Sequence, residues 1–218
     1  INTVMLKIIC EGLKAAPIMN SHLEFNRRLV RGCLKYYDNI DISMPMVLPT
    51  GEMMTINMHD MGSKTLSEMT DAINDSTRRA HNSDMNEVMW EVSFDNTIQG
   101  LKKGKFAQTV FRIIGSKTGK HKVKTLGGEE KKKYYSIPVK DRLTKHDIEQ
   151  GTTTISNLGS IYREHNGFCA LLEIIPPQTT AFAINAMQKK PVVVTDADGK
   201  DSVEIRRVIP LTIAIDHR

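Results

Sequence analysis

The sequence predicts an α+β fold, a two-layer sandwich in which a mixed, largely antiparallel sheet packs with helices. Two observations predict this class. Apolar residues recur mainly at helical spacing through the first half of the chain, whereas the final third holds short apolar runs separated by turn residues. With 218 residues, of which 40% are hydrophobic and 25% charged, the chain is long enough to bury a sizeable core.

The first half is predicted to combine helices with a few strands. Helical patterns cover residues 4–16, 64–89 and 95–114, and strand patterns cover residues 20–25, 37–47 and 53–58. Pro17 ends the first helix, and Ser63 is predicted to cap the second. The run Pro49-Thr50-Gly51-Glu52 has turn chemistry, so we expect it to join the last two of these strands.

The final third is predicted to consist of strands. Strand patterns cover residues 152–156, 170–175, 180–187, 191–194, 203–208 and 211–215. The run Asp196-Ala197-Asp198-Gly199 is a strong turn signal between two of them. Between the helical and strand-rich parts, the Gly-containing basic stretch from residue 115 to 133 is predicted to be a loop or hairpin.

Positive charge is concentrated in one part of the chain. The net charge is +5, and most of the excess lies between Lys102 and Lys145. We interpret this basic stretch as a solvated insert. Nucleic-acid binding is a weaker alternative, because aromatic residues are not interleaved with the basic ones as a base-stacking surface requires.

The cysteines and the apolar runs exclude several classes. Cys10, Cys33 and Cys169 are far apart and lack metal-ligand or redox spacing, so we expect no metal site and a reducing, cytoplasm-like compartment. Each cysteine is expected to be a small buried hydrophobe. No apolar run approaches the roughly 20 residues that a membrane helix needs, so we expect a soluble protein without membrane contact.

The chain closes with a histidine placed directly after an apolar strand. Residues 208–215 form the apolar run, and Asp216-His217-Arg218 follows it. Histidine is the side chain whose ordinary pKa allows proton exchange near neutrality, so a rigidly held His217 could act as a general base. The alternative is a strand-end histidine bonded to backbone.

Four segments resemble the catalytic domain of the acyltransferase subunits of 2-oxo-acid dehydrogenase complexes, the dihydrolipoamide acyltransferases. They read TTTISNLG at 152–159, IIPPQTTAFAI at 174–184, KPVV at 190–193 and PLTIAIDHR at 210–218. The segments occur in the family's order and at roughly its spacing. Upstream, the segments at 5–17, 16–20, 41–49 and 63–69 are similar to family elements more loosely. The resemblance covers nearly the full chain, and it implies that residues from about 91 to 145 are a basic insert relative to the family.

The resemblance implies a fold and an assembly. The fold is the one shared with chloramphenicol acetyltransferase, whose active site lies between neighbouring subunits of a homotrimer. A larger core of several trimers and partner subunits of a dehydrogenase complex are further expectations. The compartment would be the cytoplasm, or the mitochondrial matrix in a eukaryote.

The resemblance also implies a reaction and its residues. An acyl group would move between coenzyme A and a thiol acceptor, dihydrolipoamide, with His217 as general base and Ser156 as donor to the oxyanion. Asp216 and Arg218 would hold the loop that carries His217, and Asn157 would form the turn beside Ser156. No metal and no tightly bound cofactor is expected, since coenzyme A or acyl-coenzyme A is a substrate and the lipoyl group an acceptor.

Two further expectations concern completeness and activity. The family motif continues with an acidic residue three or four positions after its arginine, and the sequence ends at Arg218. The sequence also begins inside a helical pattern without a methionine, so residues 1–218 are interpreted as a single catalytic domain truncated at both ends. The alternative function is a catalytically silent trimeric scaffold or core subunit of a dehydrogenase-type complex.

Overall fold

A computed structural model describes residues 2–48, 51–102, 125–161 and 167–217. The helices are α1 (Asn2–Ala15), α2 (Leu66–His81), α3 (Met85–Lys102), α4 (Gly128–Ser136) and the single turns α5 (Lys145–Ile148) and α6 (Leu158–Ile161). The strands are β1 (Ser21–Asn26), β2 (Arg31–Tyr36), β3 (Ile42–Val47), β4 (Met53–Met58), β5 (Thr153–Asn157), β6 (Thr180–Ile184), β7 (Gln188–Thr195), β8 (Asp201–Val208) and β9 (Leu211–Ile215). This mixture confirms the predicted α+β class.

The largest sheet is mixed, as predicted. Its strand order is β4-β3-β5-β6-β9. The central strand β5 runs parallel to both of its neighbours, β3 and β6, whereas β9 pairs antiparallel with β6. Two antiparallel hairpins, β1–β2 and β7–β8, form separate two-stranded sheets.

The described chain divides into two compact units, and the first contains the predicted site. It comprises Ile1–Pro45, Met58–Met69 and Gln150–Arg218. Helix α1 belongs to this unit and buries Leu6, Ile9 and Leu13 at helical spacing, while Val4 and Ile8 are about half exposed. The predicted first helix is therefore confirmed, but its buried face excludes two of the apolar residues expected there.

The second unit comprises Met46–Asn57 and Thr70–Glu149. Its buried core consists of Leu48, Met54, Ile56, Ala80, Val88 and Leu143. Beside this core, Arg79 of α2 donates two hydrogen bonds to the Asp147 carboxylate, at 2.7 and 2.6 Å. Burial alone would raise the pKa of Asp147, but hydrogen bonds from Thr144 and Arg79 outweigh it and lower that pKa.

The second helix was predicted with the wrong capping residue and as one helix where the structure has two. Thr65 caps α2, because the Glu68 N–H contacts its hydroxyl at 3.3 Å and the Thr65 N–H donates to the Glu68 carboxylate at 2.8 Å, which is a capping box. The Ser63 hydroxyl instead donates to Asp60. Residues 82–84 then separate α2 from α3, so the apolar spacing that runs across them belongs to two helices.

Three further element predictions are corrected. Lys131, Lys132 and Lys133 lie in helix α4 rather than in a loop or hairpin. Residues 170–175 form no strand, since the two prolines that follow them supply no backbone donor to extend a ladder. Strand β2 was not predicted, because Arg31 and Lys35 obscure its pattern. The parts of the predicted helix and basic loop that fall at 103–124 lie outside the described residues.

Candidate active site

His217 lies just beyond the end of β9. Ile215, the last residue of that strand, pairs with Thr180 at the start of β6. The N–H of the next residue, Asp216, donates to the Thr179 carbonyl at 2.8 Å and so holds the chain in place. The His217 side chain is exposed, so the imidazole is accessible at this end of the sheet.

Ser156 lies near the other end of the same sheet. It is half-buried in β5 and pairs with Ala183 of β6, which in turn pairs with Thr212 near the start of β9. Asn157 follows as the last residue of β5 and pairs with Ile184. The one-turn helix α6 begins directly after it.

One chain does not bring Ser156 and His217 together. Ser156 is level with Thr212, and His217 lies five residues further along β9. At the rise of a β-strand, five residues span on the order of 15 Å, in addition to the spacing across two neighbouring strands. A catalytic side-chain atom must lie about 3 Å from the substrate atom on which it acts. A site that uses both residues must therefore take them from different chains.

Two of the three residues predicted to support the site, Asp216 and Asn157, are described by the structure. Asp216 is half-buried and anchored by its backbone, as described above. Arg218 lies outside the described residues. Asn157 is half-buried at the end of β5, next to Ser156, where a turn does begin. Their supporting roles stay predictions.

A family model now decides the family of the chain. The model for 2-oxoacid dehydrogenases acyltransferase (catalytic domain) matches residues 1–94 and 130–218. The chain belongs to this family. The match leaves out residues 95–129, which lie inside the predicted insert at about 91–145. The match resumes at residue 130, so the unmatched segment is shorter than the predicted insert.

Part of the chain is similar in sequence to acetyltransferase components of pyruvate dehydrogenase complexes. The chain is 35% identical over 78 residues to the dihydrolipoyllysine-residue acetyltransferase component of the pyruvate dehydrogenase complex of Corynebacterium glutamicum. This alignment covers 36% of this chain and 11% of that protein. It is 34% identical over 76 residues to the Mycobacterium tuberculosis protein of the same name, covering 35% of this chain and 13% of that protein. The alignments therefore span only a small part of these relatives.

Solved structures of acyltransferases share the fold. A probable dihydrolipoamide acetyltransferase from Listeria monocytogenes superposes with a TM-score of 0.58 at 18% identity, over 99% of this chain and 60% of that chain. The Azotobacter vinelandii dihydrolipoamide acetyltransferase gives a TM-score of 0.56 at 18% identity, over 99% of this chain and 59% of that chain. This similarity confirms the chloramphenicol-acetyltransferase-like sandwich that the sequence predicts.

The glycine of the family-like TISNLG segment is required by a close backbone contact. A Cβ atom added to Gly159 would lie 2.6 Å from the carbonyl oxygen of Asn185. No other residue fits that approach without a shift of the backbone. The segment therefore positions β5 and the start of α6 against the end of β6, which fixes where Ser156 lies.

Two buried side-chain amides form hydrogen bonds at the two ends of the sheet, and the sequence analysis did not single them out. At the Ser156 end, Asn185 donates to the carbonyls of Ala183 and Pro210 and accepts from the Cys169 N–H at 2.7 Å. At the His217 end, Gln178 donates to the Gly151 carbonyl at 2.8 Å. Gln178 belongs to the Pro-Pro-Gln segment, so its position in that motif was the available signal.

His22 is a second histidine held by a defined network. Its Nε2 lies 3.2 Å from the Gly151 carbonyl, and the Tyr37 hydroxyl lies 3.0 Å from its Nδ1. A tautomer with the proton on Nε2 satisfies both contacts, because Nδ1 then accepts from Tyr37. Burial lowers the pKa of His22, which favours the neutral ring. Nothing in the sequence pattern marked this residue.

The sequence predicts no metal site, no membrane contact and three buried cysteines. Residues 2–48, 51–102, 125–161 and 167–217 contain no cluster of three or more metal-ligating side chains. Among these residues, no helix is both long enough and apolar enough to span a membrane. Cys10 is buried, and burial raises the pKa of its thiol to about 11. The expectation of burial is wrong for Cys33, which is exposed, and Cys169 is half-buried.

Proposed function

We propose that the chain transfers an acyl group between coenzyme A and the thiol of dihydrolipoamide, at a site formed by two copies of the chain. His217 of one copy acts as the general base, and Ser156 of the other donates to the oxyanion. The match of residues 1–94 and 130–218 to the acyltransferase catalytic domain is the observation that carries this proposal.

The position of the two residues supports a site shared between copies. Ser156 and His217 lie at opposite ends of one sheet, and the His217 side chain is exposed. A neighbouring copy placed head to tail would bring the His217 end of one sheet to the Ser156 end of the next. Such a heterologous contact forms a closed ring when the rotation between neighbouring copies divides a full turn evenly. The ring that the family resemblance implies is a homotrimer.

The proposed step can be written with its protons and bonds. The acceptor thiol gives its proton to the His217 imidazole, and the thiolate attacks the thioester carbon. The electron pair of the carbonyl moves to its oxygen, and the Ser156 hydroxyl donates a hydrogen bond to that oxyanion. When the carbonyl re-forms, the bond to the coenzyme A sulfur breaks, and that sulfur takes the proton from the imidazolium.

Mixing two inactive variants tests both the roles and the shared site. We expect His217→Ala to abolish transfer and Ser156→Ala to lower kcat about 100- to 1000-fold. When the two variants are unfolded together and refolded, random assembly leaves one interface in about four with an intact pair, so about a quarter of wild-type turnover should return.

The mixing experiment has matched controls. His81→Ala and Ser202→Ala remove the same two side-chain types from exposed positions and should keep full turnover, alone or mixed. If the mixture of His217→Ala and Ser156→Ala stays inactive while the controls refold, the shared site is wrong. If wild-type protein turns over no acyl-coenzyme A with any thiol, the scaffold alternative replaces the enzyme.

The wider assembly and the compartment are also proposals. The cubic core of the pyruvate dehydrogenase multienzyme complex superposes with a TM-score of 0.55 at 17% identity, over 99% of this chain and 59% of that chain. We infer that trimers of this chain form a larger core that binds other dehydrogenase-complex subunits. The compartment would be the cytoplasm or the mitochondrial matrix, and one relative, from Arabidopsis thaliana, is named as mitochondrial.

A further inference from the structure

A cavity of about 140 Å³ lies directly beside the chain segment that carries His217. Its apolar lining comes from Ile18, Met19, Leu23, Leu34 and Ile215. Leu23 and Leu34 face each other as a pair across the β1–β2 hairpin, and Ile215 ends β9 two residues before His217. The cavity therefore joins the base of the hairpin to the strand that presents the proposed catalytic histidine.

The hydroxyl groups in the cavity wall are directed at backbone carbonyls. Ser21 donates to the Ile18 carbonyl at 2.6 Å, Thr180 to the Met19 carbonyl at 2.8 Å, and Thr179 contacts the Ser21 carbonyl at 3.0 Å. All three side chains are buried. Because their hydrogen bonds are made within the wall, the cavity offers a ligand mainly carbon surface.

We propose that this cavity binds the acyl chain of the substrate and selects aliphatic acyl groups of about four to six carbons. An apolar cavity of about 150 Å³ is known to hold one benzene molecule, which sets the upper size. An acyl chain in this cavity would lie beside Ile215 and Asp216, the two residues that precede His217. This inference rests on the proposed acyl transfer.

A chain-length series measures the proposed selection. Turnover is measured with acetyl-, butanoyl-, pentanoyl- and octanoyl-coenzyme A and dihydrolipoamide. Each buried methylene should raise kcat/KM about fourfold up to pentanoyl, after which octanoyl should fall. Leu34→Phe narrows the cavity and should reverse the preference for pentanoyl over acetyl, whereas Leu34→Ala should shift the optimum toward octanoyl.

Leu29→Phe is the matched control, since Leu29 lies at the tip of the same hairpin with 64% of its surface exposed. This variant should keep the wild-type chain-length profile. A flat profile that Leu34→Phe does not alter, with turnover intact, would overturn the cavity proposal and leave the proposed function standing.

Direct binding separates the two proposals if turnover is absent. Calorimetric titration with pentanoyl- and acetyl-coenzyme A needs no acceptor thiol and reports the cavity alone. Tighter binding of the pentanoyl compound, lost in Leu34→Phe and kept in Leu29→Phe, supports the cavity even when no acyl transfer is seen. Equal binding of the two compounds to wild-type protein contradicts it.

Discussion

Thr154 donates its hydroxyl hydrogen to the side-chain oxygen of Gln178 at 2.7 Å, and both side chains are buried. The same glutamine donates from its nitrogen to the Gly151 carbonyl at 2.8 Å. One side chain thus satisfies a donor and an acceptor that flank the start of β5. This pair of bonds connects the Pro-Pro-Gln segment to the strand that carries Ser156.

Gln178→Leu should destabilise the protein. The substitution leaves the Thr154 hydroxyl and the Gly151 carbonyl with fewer partners in a buried place, and we expect a loss of about 2–4 kcal/mol in the free energy of unfolding. Urea denaturation followed by circular dichroism measures it. Gln150→Leu is the control, because Gln150 donates to the Ile175 carbonyl from an exposed position and should change stability little.

Two glycine-to-alanine substitutions should change stability in opposite directions. Gly159→Ala places a Cβ 2.6 Å from the Asn185 carbonyl oxygen, so we expect a loss of about 1–3 kcal/mol. Gly12→Ala lies in α1, where nothing is within 4 Å of the new Cβ, and should stabilise by about 0.5–1 kcal/mol. Thermal unfolding of both variants checks this, and a stable Gly159→Ala would argue against the close approach.

Asp147 should contribute stability that is lost in acid. Its pKa is lowered in the folded state, so its contribution is complete above the unfolded pKa of about 4 and disappears as pH falls through the folded value. Asp147→Asn should lower the free energy of unfolding by about 1–3 kcal/mol at pH 7. The difference in this free energy between the variant and wild type should shrink as the pH falls below about 4.

Urea denaturation from pH 3 to 7 tests the Asp147 prediction. Asp75→Asn is the control, because Asp75 pairs with Arg78 at an exposed surface position and should change stability little. A difference between wild type and Asp147→Asn that does not vary with pH would show that the carboxylate charge is not what stabilises this site.

His22 should make stability fall as pH drops below neutrality. Burial lowers its pKa in the folded state, so the unfolded chain takes up the proton first, at its ordinary pKa of about 6.5. Between that value and the folded pKa, wild type should lose stability relative to His22→Gln, which does not titrate. Above pH of about 7.5 the difference between the two proteins should be constant.

Denaturation curves for both proteins between pH 5 and 8 measure the His22 effect. Parallel pH dependence of wild type and His22→Gln would contradict it. Tyr37→Phe removes the hydroxyl at Nδ1 while keeping the ring, and separates the effect of this hydrogen bond from that of burial.

Local sequence patterns predicted several elements closely. The strand at 211–215 and the strand at 53–58 have the bounds that the alternating residues indicated, and the helix over 4–16 differs from α1 mainly at its first turn. In contrast, the break at 82–84 is invisible to apolar spacing, because two helices that pack on one core can carry spacing that continues across the gap. Strand β2 depends on pairing with β1 and not on its own pattern.

The sequence by itself determined the α+β class, the acyltransferase family and the candidate residues Ser156 and His217, because these follow from local periodicity and from motifs whose residues are adjacent in the chain. Only the tertiary structure decided that those two residues lie at opposite ends of one sheet. The physical reason is strand register. Which residue of β5 faces which residue of β6 and β9 is fixed by hydrogen bonds between segments tens of residues apart, and no local pattern carries that information.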